Sequence, residues 1–470
     1  MAPAALRTLR SHLGSLVLVL AFATANAQPA SLTIDVREPF DKVGGYTYVE
    51  ATMHGSAERD DGSFGEYSVP LILIYPSDGG NGVGVVDWSN SAFYQAFGHD
   101  DPDEFTTLQW ARLATDGYLF EQGYTYASVQ WSKEVTELFG PDPPDEGEYN
   151  HLVYGTIDAG TDTWQILRDA ARFLRDPSSF AGAGGPEPVD TVVSFGFSQT
   201  GNLQMGFLVG GENVVDGERA YDAHLVGAAG TFCREPTDEP PFFFAQTRCE
   251  AAPVHDGSKM MLLATQSDVE TPFAAALARY PDRDDWRQYE LAGVAHLPST
   301  SFPGLAENQN PVDFRPAFRA AFHNLKRWTT ADIEPPPSAF LDGDVITDGP
   351  ADAIGILQTA VDEDGNALGG LRLPHMEQDV GGEVAGAPLG TYAGVNMDTE
   401  FPDVFSDVFI MVGGTFEPFG DDELRARYPD HETYVDRVRR AAEHLYETGY
   451  ILEADRDAYV REAEASRIGR

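Results

Sequence analysis

Two hydrophobic rhythms alternate along this chain. Short β-branched or aliphatic runs recur at Leu71–Tyr75, Gly84–Asp87, Tyr124–Val129, Ala223–Ala229, Met260–Ala264 and Tyr289–Ala292, and another opens at Thr191. Stretches with helical spacing lie between and after them. Thr161–Arg175 puts Trp164, Ile166, Leu167, Ala171 and Leu174 on an apolar face, and Pro316–Trp328 carries its proline where a helix tolerates it, in the first turn. Continuous apolar runs are strands buried on both faces. Alternating with helices of this length, they predict an α/β fold: a mostly parallel sheet with helices on both faces.

The ends of the chain read differently. Arg7, Arg10 and His12 precede an apolar stretch from Leu13 to Ala23, and Ala25-Asn26-Ala27 offers small residues for cleavage. Residues 1–27 are therefore expected to be a secretory signal peptide, too short in its apolar core to span a bilayer. No later run is long enough for a membrane span, and the mature protein is expected to be secreted or periplasmic. Residues 28–335 are read as the catalytic body. Glu334-Pro-Pro-Pro-Ser338 is a stiff stretch of extended chain that breaks helices. Residues 336–470 follow as a C-terminal extension, Gly-rich and β-like at first and then helical. Tyr434, Val438, Ala441 and Leu445 share one face of a helix over Thr433–Tyr446, a face expected to bury against the body. No internal repeat is present.

Charge narrows the partners. With the two leader arginines set aside, 75 acidic residues face 29 basic ones, a formal charge of −46. Nucleic-acid binding needs basic patches, so it is excluded as a general function. Lys42, Lys133, Lys259 and Lys326 are the only lysines. A high-salt habitat accounts for such acidity, because salt shortens the range of self-repulsion; an ordinary acidic secreted protein is the plainer account. Asp362-Glu-Asp-Gly-Asn366 has a faint likeness to a calcium loop but lacks the required glutamate, and reads as a turn. The two cysteines, Cys233 and Cys249, are expected to form a disulfide after export.

Chemistry enters at Thr191-Val-Val-Ser-Phe-Gly-Phe-Ser-Gln-Thr-Gly201: a strand, a sharp turn with Ser198 at its apex, then a helix. This is the layout of a nucleophile elbow. Gly196 supplies the small residue the turn requires, whereas Thr200 departs from G-x-S-x-G, with Gly201 one place late. A serine hydroxyl needs a base and an orienting acid, in chain order serine, acid, histidine. Asp268 follows the Met260–Ala264 strand and is the expected acid, with Glu270 in reserve; a turn or helix-capping role is its plainer reading. His296 follows the last predicted strand and is the expected base. His224 and His255 precede the acid strand, His323 lies within a helix, and His375, His431 and His444 lie C-terminal. The oxyanion hole is expected from the Gln199 amide and one amide at Trp88 or Ser89. Trp88, Asn90 and Trp131 are candidate pocket walls. No metal or cofactor is expected.

Five segments carry a resemblance: Gly196-Phe-Ser-Gln-Thr200, Val85-Val-Asp-Trp-Ser-Asn90, Ala292-Gly-Val-Ala-His296, Gly369-Gly-Leu-Arg-Leu-Pro374, and the stretch from Pro418-Phe to Arg427-Tyr-Pro429. Together they resemble the α/β-hydrolase superfamily. More narrowly they resemble a bacterial secreted family, known only as alpha/beta hydrolase domain-containing proteins, with a G-x-S-Q-[ST] elbow. Relatives often carry an acidic residue where Gln266 stands. The resemblance spans nearly the whole mature chain. It implies an α/β-hydrolase fold that includes the C-terminal extension, and hydrolysis of a small-molecule or polymeric ester. The expected activity is that of a serine carboxylic-ester hydrolase. A peptidase or amidase with the same triad, or a non-catalytic binding protein on the same scaffold, are the competing readings.

Overall fold

The computed structural model describes residues 30–40, 43–58, 64–88, 115, 117–129, 131, 162–179, 185–230, 232–233, 247–249, 252–271, 275–300, 304–348, 355–396 and 405–470. Nine strands form the central sheet: β1 (Ser31–Pro39), β2 (Tyr46–Glu58), β3 (Phe64–Pro76), β4 (Val83–Trp88), β5 (Thr125–Val129), β6 (Thr191–Phe197), β7 (Ala223–Gly227), β8 (Lys259–Thr265) and β9 (Trp286–Leu291). Their order across the sheet is β1-β2-β3-β5-β4-β6-β7-β8-β9. β1, β2, β3 and β5 pair antiparallel in turn; from β5 to β9 every neighbour is parallel.

The pleat sorts side chains between two cores. Leu71, Leu73, Val86 and Val192 face one core with Ile166, Leu167 and Leu174 of helix α1 (Asp162–Arg175). Ile72, Ile74, Val85 and Val193 face the other, with Phe318, Phe322 and Trp328 of helix α4 (Arg315–Ala331). Successive strand residues point to opposite faces, so a run with no polar interruption requires a helix on each side. The expected mostly parallel α/β sheet is thus present. Strands β1 and β2, and the half of β3 ahead of Leu71, are additions to the expected strands. Ala223–Ala229 stops two residues early as a strand, because Ala228 turns into the left-handed region at φ 45°.

The outer edge of β9 does not face solvent. Tyr289 and Leu291 pair in parallel with Ala339 and Leu371. The proline run lies against the same strand, where Tyr289 Oη donates to the Pro336 carbonyl at 2.7 Å. Leu341, Leu373, Met376, Val412 and Leu445 share the core that holds Phe318 and Trp328. Glu290, wholly buried at the centre of this seam, accepts from Arg279 Nε at 2.8 Å and from the Leu341 amide at 2.8 Å. The helix over His431–Glu447 buries Tyr434, Val438, Ala441 and Leu445, with Asp430 capping it by accepting from the Thr433 amide at 2.7 Å; the expected burial against the body holds for Leu445, whereas Tyr434 and Val438 pack within the extension on Ala387, Tyr428 and Ala463. Asp362–Asn366 is a turn: Asp362 accepts from the Asp364 and Asn366 amides, Gly365 takes φ 77°, and Arg372 and Arg427 occupy its carboxylates. Among the described residues no helix is long and apolar enough to cross a membrane.

Candidate active site

Strand β6 ends at Phe197 and helix α2 (Gln199–Gly210) begins two residues on. Ser198 between them takes φ 57° and ψ −115°, a conformation that costs an L-residue about 1–3 kcal/mol. Three features hold it there. The Ser198 amide donates to the Gly227 carbonyl of the neighbouring strand at 2.9 Å. The Thr200 hydroxyl accepts from the Phe197 amide at 3.0 Å and lies 3.1 Å from the Phe197 carbonyl. A Cβ on Gly196 would fall 2.5 Å from the Thr200 carbonyl oxygen, and one on Gly201 would fall 2.6 Å from Ala229 Cβ. The departure at Thr200 therefore has a physical account: its hydroxyl braces the turn, and Gly201 provides the close approach to β7.

The expected acid, Asp268, sits on helix α3 (Gln266–Glu270), a single turn after β8. Thr265 and Asp268 form a capping box. Asp268 Oδ2 accepts from the Thr265 amide at 2.6 Å and the Thr265 hydroxyl at 2.8 Å. Oδ1 is left for His296, whose Nδ1 lies 2.7 Å away. The capping role and the orienting role thus fall on the two oxygens of one carboxylate. A carboxylate only accepts, so Nδ1 carries the proton and Nε2 presents its lone pair. Nε2 lies 2.9 Å from Ser198 Oγ, in position to accept the hydroxyl proton. The three side chains are almost closed to solvent, Ser198 at 5%, His296 at 3% and Asp268 at 0% exposed. The Phe197 ring packs on the imidazole with centroids 5.6 Å apart.

All three groups sit just beyond the C-terminal ends of parallel strands β6, β8 and β9, the edge where such sheets place their sites. The reserve acid is elsewhere: Glu270 accepts from Gln266 Nε2 at 2.8 Å, and burial raises its pKa. Gln199 opens α2, so its amide is among the helix N–H groups with no partner inside the helix, and it follows Ser198 directly. Ser89 and Asn90 lie outside the described residues. The expected pocket role of Trp88 and Trp131 is corrected, since both are buried in the core. Trp88 stands edge-on to Phe207 at 5.2 Å and its indole N–H donates to Tyr221 Oη at 3.3 Å, which fixes it as packing.

Several supporting residues escaped the sequence reading. Ser267 Oγ accepts from the His296 amide at 2.9 Å, and Gln266 Oε1 accepts from the Gly293 amide at 2.8 Å. The Thr265-Gln-Ser-Asp268 spacing is the one available signal, since it matches a capping box. Cys249 is disulfide-bonded, while the side chain of Cys233 lies outside the described residues. His255, Asp284 and Asp285 could together offer metal ligands. They lie before β8 and β9, at the opposite end of the sheet from Ser198, and Asp285 already accepts from Arg283 Nε at 2.7 Å.

The family model for the alpha/beta hydrolase domain matches residues 46–461. Comparison with curated proteins returns no match. Among solved structures, a CE15 glucuronoyl esterase from Teredinibacter turnerae T7901 aligns at 13% identity and TM-score 0.24, covering 43% of this chain and 46% of that one. The rice cell wall degrading esterase LipA from Xanthomonas oryzae aligns at 14% and 0.26, covering 44% and 51%. Acetyl xylan esterase 1 from Thermoanaerobacterium sp. JW/SL YS485 aligns at 12% and 0.29, covering 55% and 80%. The chain thus spans about half the length of the first two, and at these TM-scores none of the three bears on substrate.

Proposed function

The chain belongs to the alpha/beta hydrolase domain family, and from that premise we propose that it is a serine hydrolase of carboxylic esters, working through an acyl-enzyme on Ser198. The observation that carries the proposal is the continuous relay from Asp268 Oδ1 to His296 Nδ1 at 2.7 Å and from His296 Nε2 to Ser198 Oγ at 2.9 Å. Ser198 Oγ attacks the ester carbonyl as Nε2 takes its proton. Asp268 holds the ring in the required tautomer and stabilises the imidazolium that forms. The Gln199 amide, with a second from Trp88 or Ser89, receives the oxyanion. His296 then returns the proton to the departing alcohol. Water enters, His296 takes a proton from it, and the hydroxide so formed releases the acid and restores Ser198.

Hydrolysis of p-nitrophenyl esters of graded acyl length tests the proposal, with Ser198→Ala as control. Turnover that survives this substitution sinks it. Residues 1–27 are proposed to direct export, leaving the mature protein secreted or periplasmic. Cys233 is proposed as the partner of Cys249, since these are the only cysteines and the short ladder Phe232–Cys233 against Thr247–Arg248 brings their backbones together. The acidity is proposed to suit high salt.

A further inference from the structure

Ser267 stands between the proposed acid and the C-terminal extension. Its side chain is wholly buried. Its hydroxyl accepts from the His296 amide at 2.9 Å and donates to the Gly394 carbonyl. A hydroxyl has one proton, and with the amide N–H pointing at its oxygen that proton goes to a carbonyl of the extension: Gly394 is the near acceptor, and Val412 stands farther off at 3.5 Å. Consecutive residues thus bracket the base. Ser267 fixes its backbone, and Asp268 fixes its ring.

The extension closes on the same loop at further points. The Leu297 amide donates to the Val412 carbonyl at 3.0 Å, and the Asn310 side chain spans the Gly293 and Ala393 carbonyls at 3.1 and 2.9 Å. Gly394 is a glycine for a steric reason. A Cβ there would lie 2.7 Å from the Ser267 amide nitrogen and 2.7 Å from Gln266 Cβ. The extension therefore comes as near to the acid turn as a backbone can. Its contact is made with the residues that hold the base, while neither Ser267 nor Gly394 touches Ser198 in any bond described.

We propose that Ser267 is a positioning residue for His296, and that the C-terminal extension, through the Gly394 carbonyl, sets the distance between the base and Ser198. The inference rests on the triad reading above. Removing the hydroxyl leaves a buried N–H and a buried carbonyl without their shared partner, and the His296 loop shifts to satisfy them. A displacement near 1 Å in a reacting pair costs up to about 10²-fold in rate.

The test uses the full-length protein and two readouts: kcat and KM for p-nitrophenyl acetate, and the rate constant for labelling by a fluorophosphonate. Ser267→Ala is compared with Gly394→Ala, which pushes the extension away but keeps the hydroxyl. The control is Tyr428→Phe, which removes a buried hydrogen bond to the Pro388 carbonyl elsewhere in the extension. Both Ser267→Ala and Gly394→Ala are expected to lower kcat and labelling by about 10- to 100-fold with KM changed less than about twofold. Tyr428→Phe is expected to lower the melting temperature but keep both rates. Wild-type rates in a folded Ser267→Ala or Gly394→Ala protein overturn this inference and leave the triad standing. So does an equal loss in Tyr428→Phe, which would make the effect one of general stability. A wild type that neither labels nor turns over ester overturns the triad reading, and this inference with it.

Discussion

Replacing Asp268 by asparagine forces a choice that the wild-type carboxylate avoids. Oδ2 accepts from the Thr265 amide and hydroxyl at 2.6 and 2.8 Å, and Oδ1 accepts from His296 Nδ1 at 2.7 Å. An amide has one oxygen for these two sides. If its NH₂ faced Thr265, two buried donors would lose their acceptor, at about 1–3 kcal/mol each. If it faces His296, the ring has only to exchange tautomers. The second arrangement wins. Each Thr265 bond then weakens from charge-assisted to neutral, about 1 kcal/mol apiece, and the melting temperature falls by a few degrees. The imidazole now carries its proton on Nε2 and cannot accept from Ser198. The expected loss in kcat is on the order of 10⁴-fold, about 5 kcal/mol in the barrier, the figure known for the equivalent change in a serine protease. Steady-state hydrolysis of p-nitrophenyl acetate, beside a thermal melt, reads both quantities. Asp268→Asn keeping more than about a tenth of wild-type kcat would refute the reasoning, and would do so decisively if Glu270→Gln were the variant that lost it.

Other consequences follow from the same contacts. Gly196→Ala places a methyl 2.5 Å from a backbone oxygen that only a shift of the elbow can relieve; a loss of about 1–3 kcal/mol in a urea titration and more than about tenfold in kcat are expected. His224 is wholly buried, with Nδ1 2.6 Å from Ser194 Oγ, and burial lowers its pKa from 6.5 to about 4 against the opposing pull of Asp256 and Asp222. The unfolded chain therefore binds a proton that the folded one refuses. Stability from this site is complete above pH 6.5 and is lost as the pH falls towards 4, by about 3 kcal/mol at most, and His224→Gln should flatten that part of a stability-against-pH curve. Molar salt should raise the melting temperature of the wild type more than that of a near-neutral homologue, if the charge reflects a high-salt habitat; an equal shift in both removes that account.

The convergence of Ser198, Asp268 and His296 was legible because chain order and strand ends constrain it strongly. A serine after one buried run, an acid after a later one and a histidine after the last must converge at one edge of a parallel sheet. The packing around it was less legible. Val86 and Trp88 share a strand face by the two-residue period, and that face meets Leu203 and Phe207. The parity was in the sequence, but which face met which helix was not, and Trp88 was expected to wall a pocket. The ribbon β1–β3 was missed at β2 because Tyr46–Glu58 mixes polar, glycine and apolar residues in a strand that is only partly buried. Ser267 carried no signal beyond its place beside Asp268. Its partners, His296 and Gly394, stand 29 and 127 residues away and meet it only in the folded chain.

The central claim is that Ser198 is a nucleophile activated by His296. It is tested most directly by treating the folded protein with a fluorophosphonate and mapping the adduct by mass spectrometry. The account predicts one adduct, on the peptide that contains Ser198, absent in Ser198→Ala and formed far more slowly in His296→Ala. A folded wild type that takes no label, or takes it equally well without Ser198, would contradict it.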